Sequence, residues 1–142
     1  MTKPTLLYDS NVIYKLIKET PDTALDKLAE GSTIYLAYYE LGNALWRESL
    51  LLKRISIAEA QESLALIYSM LEHLEVATLS GETGSEILET AHKFNLTFYD
   101  SAYLVEAKKS SRVLVTDDAK LAKTAKSMDV ETTSSNTLIN RQ

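Results

Sequence analysis

The sequence predicts an α/β protein whose parallel β-sheet is covered by helices on both faces. The first observation is that short runs of β-branched and aromatic residues alternate with longer stretches of helical periodicity. The second is that 142 residues, 45% of them hydrophobic, suffice for one domain with a buried core. The third is that four glycines and two prolines leave few positions for long irregular loops.

The order of elements along the chain favours parallel pairing. Predicted strands cover residues 5–8, 33–38, 76–79, 113–116 and, more weakly, 130–133. Predicted helices follow the first strand and cover residues 23–29, 39–53, 56–71, 84–94, 99–109 and 119–127. Helical crossovers between strands predict a parallel sheet, and right-handed crossovers bring all the strand carboxyl ends to one edge. We expect residues 1–142 to form a single domain, with a polar tail at about 134–142.

Composition excludes several kinds of site. The absence of cysteine excludes disulfides, a thiolate nucleophile and zinc sites built on sulfur. The net charge of −5 argues against coating nucleic acid through bulk charge, but it leaves room for a local basic rim. No run of about 18 apolar residues could span a membrane, and Asp9 interrupts the first apolar run too early for a secretion signal. We therefore expect a cytoplasmic protein.

Acidic residues follow two of the predicted strands and open two of the helices. Asp9 comes directly after the first strand, and Asp117 and Asp118 come directly after the fourth. Glu40 lies in the first turn of the helix after the second strand, and Asp100 opens the helix before the fourth strand. Ligands of open α/β sheets bind outside the carboxyl ends of the strands. We therefore expect four of these carboxylates to converge at that edge.

Each acid also has a structural interpretation. Aspartate is a preferred N-cap, and Asp9, Asp100 and Asp118 each lie at a plausible helix start. A carboxylate in a first helical turn, such as Glu40, gains from the helix dipole. Because all four can meet at one edge of one sheet, the joint arrangement favours a functional role over capping alone.

Converging carboxylates need a compensating charge. Two of them about 4 Å apart repel by roughly 4 kcal/mol at an effective dielectric constant near 20. The total stability of a domain is only about 5–15 kcal/mol, so several such pairs would be hard to sustain. Either some of the acids are protonated or a cation lies among them. Oxygen ligands without cysteine or histidine favour Mg²⁺ or Mn²⁺, which can activate water and neutralise phosphate.

These motifs resemble those of the PIN domain and, within it, the toxin ribonucleases of VapBC toxin–antitoxin pairs. The resemblance covers essentially the whole chain and is carried by four segments in order: Tyr8-Asp9-Ser10-Asn11-Val12, Tyr39-Glu40-Leu41, residues 96–104 and Val115-Thr116-Asp117-Asp118. In the fourth motif a threonine stands two residues before the acid, which selects Asp118 over Asp117. One departure is Asp129, where relatives often have glycine, but aspartate tolerates the left-handed conformation.

The resemblance implies a PIN-like fold with a five-stranded parallel sheet flanked by helices. It also implies an endoribonuclease that uses Mg²⁺ or Mn²⁺ to hydrolyse RNA phosphodiesters. Asp9, Asp100 and Asp118 would hold the metal, and Glu40 would coordinate it or orient the attacking water. The polar neighbours of these acids would support them through hydrogen bonds, with capping or turn chemistry as an equally good explanation: Ser10, Asn11, Thr116 and Asp117.

Basic and aromatic residues provide candidates for contacts with RNA. Lys120, two residues beyond Asp118, is our choice for a phosphate contact, although most such residues are simply solvated helix faces. Tyr99 and Tyr103 could stack on a base, but core packing is the favoured interpretation. Arg47 lies along the helix that carries Glu40, and we assign it no specific role.

Two partners besides RNA are expected. The resemblance implies a small antitoxin with a basic C-terminal segment, whose arginine would pair with the acidic cleft. The predicted helix 39–53 is apolar on too many sides for one buried stripe. We expect Trp46 and Leu50 to form a second exposed ridge beside Leu66 and Met70, and a homodimer to bury it.

Three other interpretations remain. A haloacid-dehalogenase-like phosphohydrolase would need a second aspartate two residues after Asp9, where this chain has Asn11. A response-regulator receiver would need an acceptor aspartate at the end of the third strand, where the chain reads Thr78-Leu79-Ser80. A non-catalytic PIN-like scaffold that binds RNA or protein is less favoured, because the acidic set is intact.

Overall fold

The sheet consists of short strands that all run parallel. The computed structural model describes residues 5–29 and 31–140. Within these residues the strands are β1 (Leu6–Tyr8), β2 (Ser32–Ile34), β3 (Glu75–Ala77), β4 (Val113–Val115) and β5 (Thr132–Thr133). They pair in the order β3-β2-β1-β4-β5, and each neighbouring pair is parallel. The predicted five-stranded parallel sheet is therefore confirmed.

Helices connect these strands and begin at side chains suited to capping. Their bounds are α1 (Ser10–Glu19), α2 (Ala24–Leu28), α3 (Leu36–Trp46), α4 (Ile57–Leu71), α5 (Gly81–Phe94), α6 (Phe98–Ser110), α7 (Ala119–Ser127) and α8 (Ser135–Ile139). A π-helical turn, Arg47–Leu51, continues α3. Ser56 caps α4 in a capping box with Glu59, and Ser80 caps α5. In the described part of the chain, no helix combines the length and the apolar character needed to cross a bilayer.

The sheet is covered on both faces by apolar side chains. Successive residues of β4 point to opposite faces, so Val115 belongs to one buried cluster and Leu114 to the other. The first cluster joins the sheet to α1, α3 and α4, and the second joins it to α6 and α7. The central strands are therefore fixed from both sides, which holds their carboxyl ends in place.

The second predicted strand was too long. We expected a strand at 33–38, but β2 ends at Ile34 and α3 already begins at Leu36. Of the tyrosines that suggested a strand, Tyr35 is the N-cap of α3 and Tyr38 lies in its first turn, and their rings stack with centroids 5.0 Å apart. Because α3 begins early, Glu40 lies beyond its first turn, and the dipole explanation for its position was wrong.

The expected polar tail at about 134–142 contains a helix, although residues 141–142 lie outside the described part. Leu138 of α8 is buried in the cluster that includes α1. The short length and polar composition of this segment hide its one buried apolar position from a sequence pattern. At Asp129 the structure confirms the left-handed conformation, with φ of 60°.

Candidate active site

An acidic cavity lies at the carboxyl ends of the central strands. Its volume is about 200 Å³, and its lining consists of Asp9, Ser10, Asn11, Glu40, Asn43, Ala44, Arg47, Asp100 and Tyr103. The structure therefore brings three of the four predicted acids to one cavity. Asp118, the fourth, lies outside the lining but close enough to Asp100 to affect its ionisation.

Asp9 is the most buried carboxylate of the cavity. It follows β1 directly, it is 6% exposed, and its Oδ1 accepts a hydrogen bond of 2.9 Å from the backbone N–H of Val12. Asp9 thus does cap α1, as the structural interpretation proposed. Burial raises the pKa of Asp9 from 3.8 to about 6, and the charges of Asp117 and Asp100 add to this. Hydrogen bonds from Thr116 and Val12 act in the opposite direction but do not outweigh burial.

Glu40 is held by two hydroxyl groups. Its Oε1 accepts hydrogen bonds from Ser10 Oγ at 3.0 Å and from the Tyr103 hydroxyl at 2.7 Å. Tyr103 is 2% exposed, so the favoured core packing is confirmed for its ring. Burial and the neighbouring Glu40 carboxylate raise the pKa of Tyr103, which keeps its hydroxyl protonated as a donor. This contact joins α3 to α6, and the sequence offered no signal for it beyond the position of Tyr103 one helical turn after Asp100.

Asp100 and Asp118 lie at the starts of two helices, close enough for their charges to interact. Asp100 lies in the first turn of α6, but Thr97 is the N-cap, so the capping interpretation of Asp100 was wrong. Asp118 does cap α7, because its Oδ1 accepts from the N–H of Leu121 at 2.8 Å. Burial raises the pKa of Asp100, the charge of Asp118 raises it further, and the ammonium group of Lys120 acts in the opposite direction.

Thr116 links the two strand-end acids. Its side chain is hydrogen bonded to Asp9, and its Oγ1 accepts from the N–H of Asp118 at 3.1 Å. Thr116 is buried at the end of β4, so it holds both groups in fixed relation. Ser10 and Thr116 thus each form a hydrogen bond to one of the acids, but the Thr116 bond to the Asp118 N–H is also the turn chemistry given as the alternative, so their supporting role stays a prediction.

Asp117 points toward the C-terminal helix. Its Oδ1 accepts from the Ser135 N–H at 2.8 Å, its Oδ2 accepts from Ser135 Oγ at 2.6 Å, and Lys15 Nζ lies 3.6 Å from Oδ2. Partial burial alone would raise the pKa of Asp117, but the Ser135 hydrogen bonds and the Lys15 charge together lower it. Asp117 therefore anchors α8, whereas the charge of Asp118 acts on Asp100.

Basic groups lie at the rim of the cavity. Lys120 Nζ donates to the Asn95 carbonyl oxygen at 2.6 Å, and its charge reaches Asp100. Arg47 and Asn43 line the cavity, although we assigned neither a role from the sequence. The signal was present, because residues 40, 43, 44 and 47 follow the spacing of one helix face.

The cavity presents the ligands that Mg²⁺ prefers, carboxylate and amide oxygens, with no histidine or cysteine. Among the described residues, no three acidic or imidazole side chains lie close enough together to hold one ion between them. The predicted acids therefore do not form one compact cluster of three or more ligands, and an ion here would be bound by at most two of them together with water, as is common for Mg²⁺. A cation would also relieve the repulsion that contributes to the raised pKa of Asp9 and Asp100.

The fold and the site together define an α/β domain with a carboxylate-lined cleft at the carboxyl edge of a parallel sheet. The chain belongs to the PIN domain family, whose model matches residues 6–127. The haloacid-dehalogenase-like and receiver alternatives are therefore set aside.

Known proteins resemble the chain over nearly its whole length. It is 37% identical over 127 residues to exonuclease VapC9 of Pyrobaculum aerophilum, covering 89% of this chain and 90% of that relative. The crystal structure of PAE2754 from Pyrobaculum aerophilum matches with a TM-score of 0.79 at 28% identity, covering 96% of this chain and 94% of that one. The chain is thus a homologue of a nuclease.

Two toxin–antitoxin structures share the fold. VapBC2 from Rickettsia felis, bound to a DNA fragment from its promoter, matches with a TM-score of 0.61 at 17% identity, covering 91% of this chain and 97% of that one. VapBC-1 from nontypeable Haemophilus influenzae matches with a TM-score of 0.62 at 15% identity, covering 92% and 98%. At these identities the likeness concerns the fold alone.

Proposed function

We propose that the chain is a metal-dependent endoribonuclease that hydrolyses RNA phosphodiesters at the cleft of Asp9, Glu40, Asp100 and Asp118. The observation that carries this proposal is the buried Asp9 carboxylate, which shares one cavity with the carboxylates of Glu40 and Asp100. A raised pKa at such a position is typical of functional sites, since stability alone would favour a neutral side chain there. Homology to a nuclease supports the same reaction class.

Asp9 and Asp100 are the residues that would hold Mg²⁺ or Mn²⁺, with Asp118 acting beside Asp100. When bound, such an ion supplies positive charge for the phosphate oxygens and lowers the pKa of a water molecule. The protein keeps these carboxylates in place through the Val12 N–H, the Thr116 side chain and the N-terminal turns of α1 and α7.

Glu40 would orient the attacking water. The hydroxyls of Ser10 and Tyr103 bind its Oε1 and fix the plane of the carboxylate. The water would pass a proton to the Glu40 carboxylate while its oxygen attacks phosphorus, and Glu40 would then release that proton to solvent. One P–O bond then forms, the bond to the leaving oxygen breaks, and the leaving oxygen takes a proton from solvent.

Contacts with the RNA phosphates would come from the basic rim. Arg47 lines the cavity beside Asn43, and the charge of Lys120 acts on Asp100. Their charges would offset the repulsion between phosphate and the acidic cleft, which a protein of net charge −5 cannot offset globally.

As for partners, we propose that the chain is the toxin of a toxin–antitoxin pair and forms a homodimer. The two VapBC structures of the same fold support an antitoxin partner. An antitoxin segment with a cationic side chain would pair with the acidic cavity and compete with metal and RNA. The exposed Trp46, Leu50 and Leu66 support the homodimer.

A mixed RNA pool incubated with Mg²⁺, Mn²⁺ or EDTA tests the proposal. We expect fragments with either ion and none with EDTA. A circular RNA should be opened, because internal cleavage needs no end, whereas the name of the VapC9 relative implies attack at an end. RNA that is bound but uncut under every condition would instead support the non-catalytic scaffold.

A further inference from the structure

A second cavity, apolar rather than acidic, lies beside the first. Its volume is about 200 Å³, it lies at the carboxyl ends of β2 and β3, and helices α3, α5 and α6 enclose it. A cavity of roughly 150 Å³ holds one benzene ring, so a planar ring of nucleobase size fits this space. The exposed rings of Tyr35, Phe98 and Tyr99 border it.

Helix α6 supplies neighbouring residues to the two cavities. Tyr99 and Ala102 line the apolar cavity, and their neighbours Asp100 and Tyr103 line the acidic one. The two cavities therefore lie on adjacent sides of the same turns of α6. A ligand whose phosphate lies at Asp100, and whose flat apolar group is joined to that phosphate by a short linker, could occupy both cavities.

The apolar cavity contains one charged side chain. Glu106 lines it one helical turn beyond Ala102. Among the described residues its carboxylate has no direct hydrogen-bond or ion-pair partner; partial burial raises the pKa of Glu106, and the charges of Lys109 and Arg112 act in the opposite direction. An aliphatic side chain of a protein partner would bury this carboxylate without giving it a hydrogen bond, which is costly. A nucleobase has apolar faces that match the cavity walls, and it has N–H donors at its edge that can bind the carboxylate.

Charge gives a further reason for such a pocket. Most nucleic-acid affinity normally comes from neutralising phosphates, but this chain has a net charge of −5. Stacking of bases on aromatic side chains supplies affinity that does not depend on net charge.

We propose that this apolar cavity binds an unpaired nucleobase of the RNA next to the cleaved phosphodiester, with an N–H group of the base donating to Glu106. The inference rests on the proposed function, because it names the part of the substrate that sits beside the acidic cavity. Tyr99 stacks on the base at the rim, so its predicted core packing, which its 57% exposure contradicts, is replaced by a binding role.

Nucleoside 5′-monophosphates test the cavity without any cleavage, since they contain no phosphodiester to cut. The amide signals of Leu79 and Ala102 are followed by NMR while AMP, CMP, GMP, UMP or ribose 5-phosphate is added in EDTA. We expect the nucleotides to shift these signals and ribose 5-phosphate to leave them unchanged. Tyr99→Ala should weaken binding about tenfold, because one stacked base contributes about 1–3 kcal/mol.

Two further variants complete the test. Tyr39→Ala is the matched control, since Tyr39 is an aromatic residue 70% exposed that does not line the cavity. It should bind nucleotides as the wild type does. Glu106→Gln should weaken nucleotide binding, because it replaces the charged acceptor of the base N–H by a neutral amide. Shifts that ribose 5-phosphate reproduces, or binding that Tyr99→Ala leaves unchanged, would overturn the proposal. Nucleotide binding without RNA cleavage would contradict the endoribonuclease alone.

Discussion

The hydroxyl of Tyr103 donates a 2.7 Å hydrogen bond to Oε1 of Glu40, across 63 positions of the chain. The same oxygen accepts from Ser10, so one carboxylate of α3 is oriented by α6 and by the start of α1. A group that must orient a water molecule needs this kind of support, because a freely rotating carboxylate would lose entropy in the transition state.

Tyr103→Phe should slow RNA cleavage about ten- to a hundredfold while the fold is kept. The variant preserves the buried ring and removes one hydrogen bond to a charged group, which is worth about 1.5–3 kcal/mol. Tyr68→Phe is the control, because it removes a comparable 2.6 Å bond from a tyrosine hydroxyl to the Tyr38 carbonyl oxygen, away from the acidic cavity. Cleavage rates that fall equally in both variants would mean that Glu40 has no special dependence on Tyr103.

Asp9→Asn should make the metal-free protein more stable above pH 6. The raised pKa means that the folded chain binds a proton at Asp9 more tightly than the unfolded chain does. The free energy of unfolding therefore falls as the pH rises from about 4 to about 6, by at most about 3 kcal/mol. Asparagine caps α1 equally well but carries no charge.

Urea unfolding at pH 4 and pH 7.5 in EDTA measures this difference. The two proteins should be nearly equal at pH 4, and Asp9→Asn should be more stable at pH 7.5 by about 1–3 kcal/mol. Asp22→Asn, at an exposed position, should match the wild type at both values. A wild type that is the more stable protein at pH 7.5 would show that the Asp9 charge is favourable in the fold.

Asp117 and Asp118, the adjacent acids after β4, should have different roles, the first in stability and the second in cleavage. Asp117→Asn should lower stability by about 1–3 kcal/mol, because its carboxylate binds the backbone and hydroxyl of Ser135, and it should leave cleavage intact. Asp118→Asn should keep the cap on α7 and lose cleavage. Thermal melting and an RNA cleavage assay on both variants measure the two effects. Loss of cleavage in Asp117→Asn, with cleavage kept in Asp118→Asn, would show that the roles are exchanged.

The apolar ridge on α3 and α4 should form a dimer contact. Trp46 is 46% exposed, and Leu50 and Leu66 are also exposed, as predicted. Met70, which we expected to extend this ridge, is buried at 8% exposure, so that part was wrong. Sedimentation equilibrium should find a wild-type dimer and a folded Trp46→Glu monomer. Folded monomers in both samples would contradict the dimer.

The sequence predicts those parts of the site that depend on one strand or one helix. An acid that follows a strand of a parallel sheet must emerge at the carboxyl edge, so the positions of Asp9 and Asp118 could be inferred without the structure. The partner of Glu40 could not, since the Tyr103 contact depends on how α6 packs against α3. The role of Asp117 was hidden for the same reason, because Ser135 reaches it from a helix 18 positions away.

The predicted boundaries of helices and strands were wrong where tertiary contacts override the local preference for one kind of secondary structure. Tyrosine favours strands, yet Tyr35 and Tyr38 lie at the start of α3, where Tyr38 packs on Tyr68 with ring centroids 4.7 Å apart. Because the start of α3 was predicted too late, the position of Glu40 within that helix was also predicted wrongly. Its place in the cavity was nevertheless as expected, since the helix still begins at the same sheet edge.

The central claim, metal-dependent cleavage at the Asp9 cleft, is tested most directly by the rate at which a labelled RNA is cleaved as the Mn²⁺ concentration rises. We expect the wild-type rate to increase to a plateau and the Asp9→Asn rate at the same plateau to be at least about a hundredfold lower. The reason is that the ion contributes several kcal/mol, and each 1.36 kcal/mol is a factor of ten in rate. Equal rates for the two proteins, or wild-type cleavage that persists in EDTA, would contradict the claim.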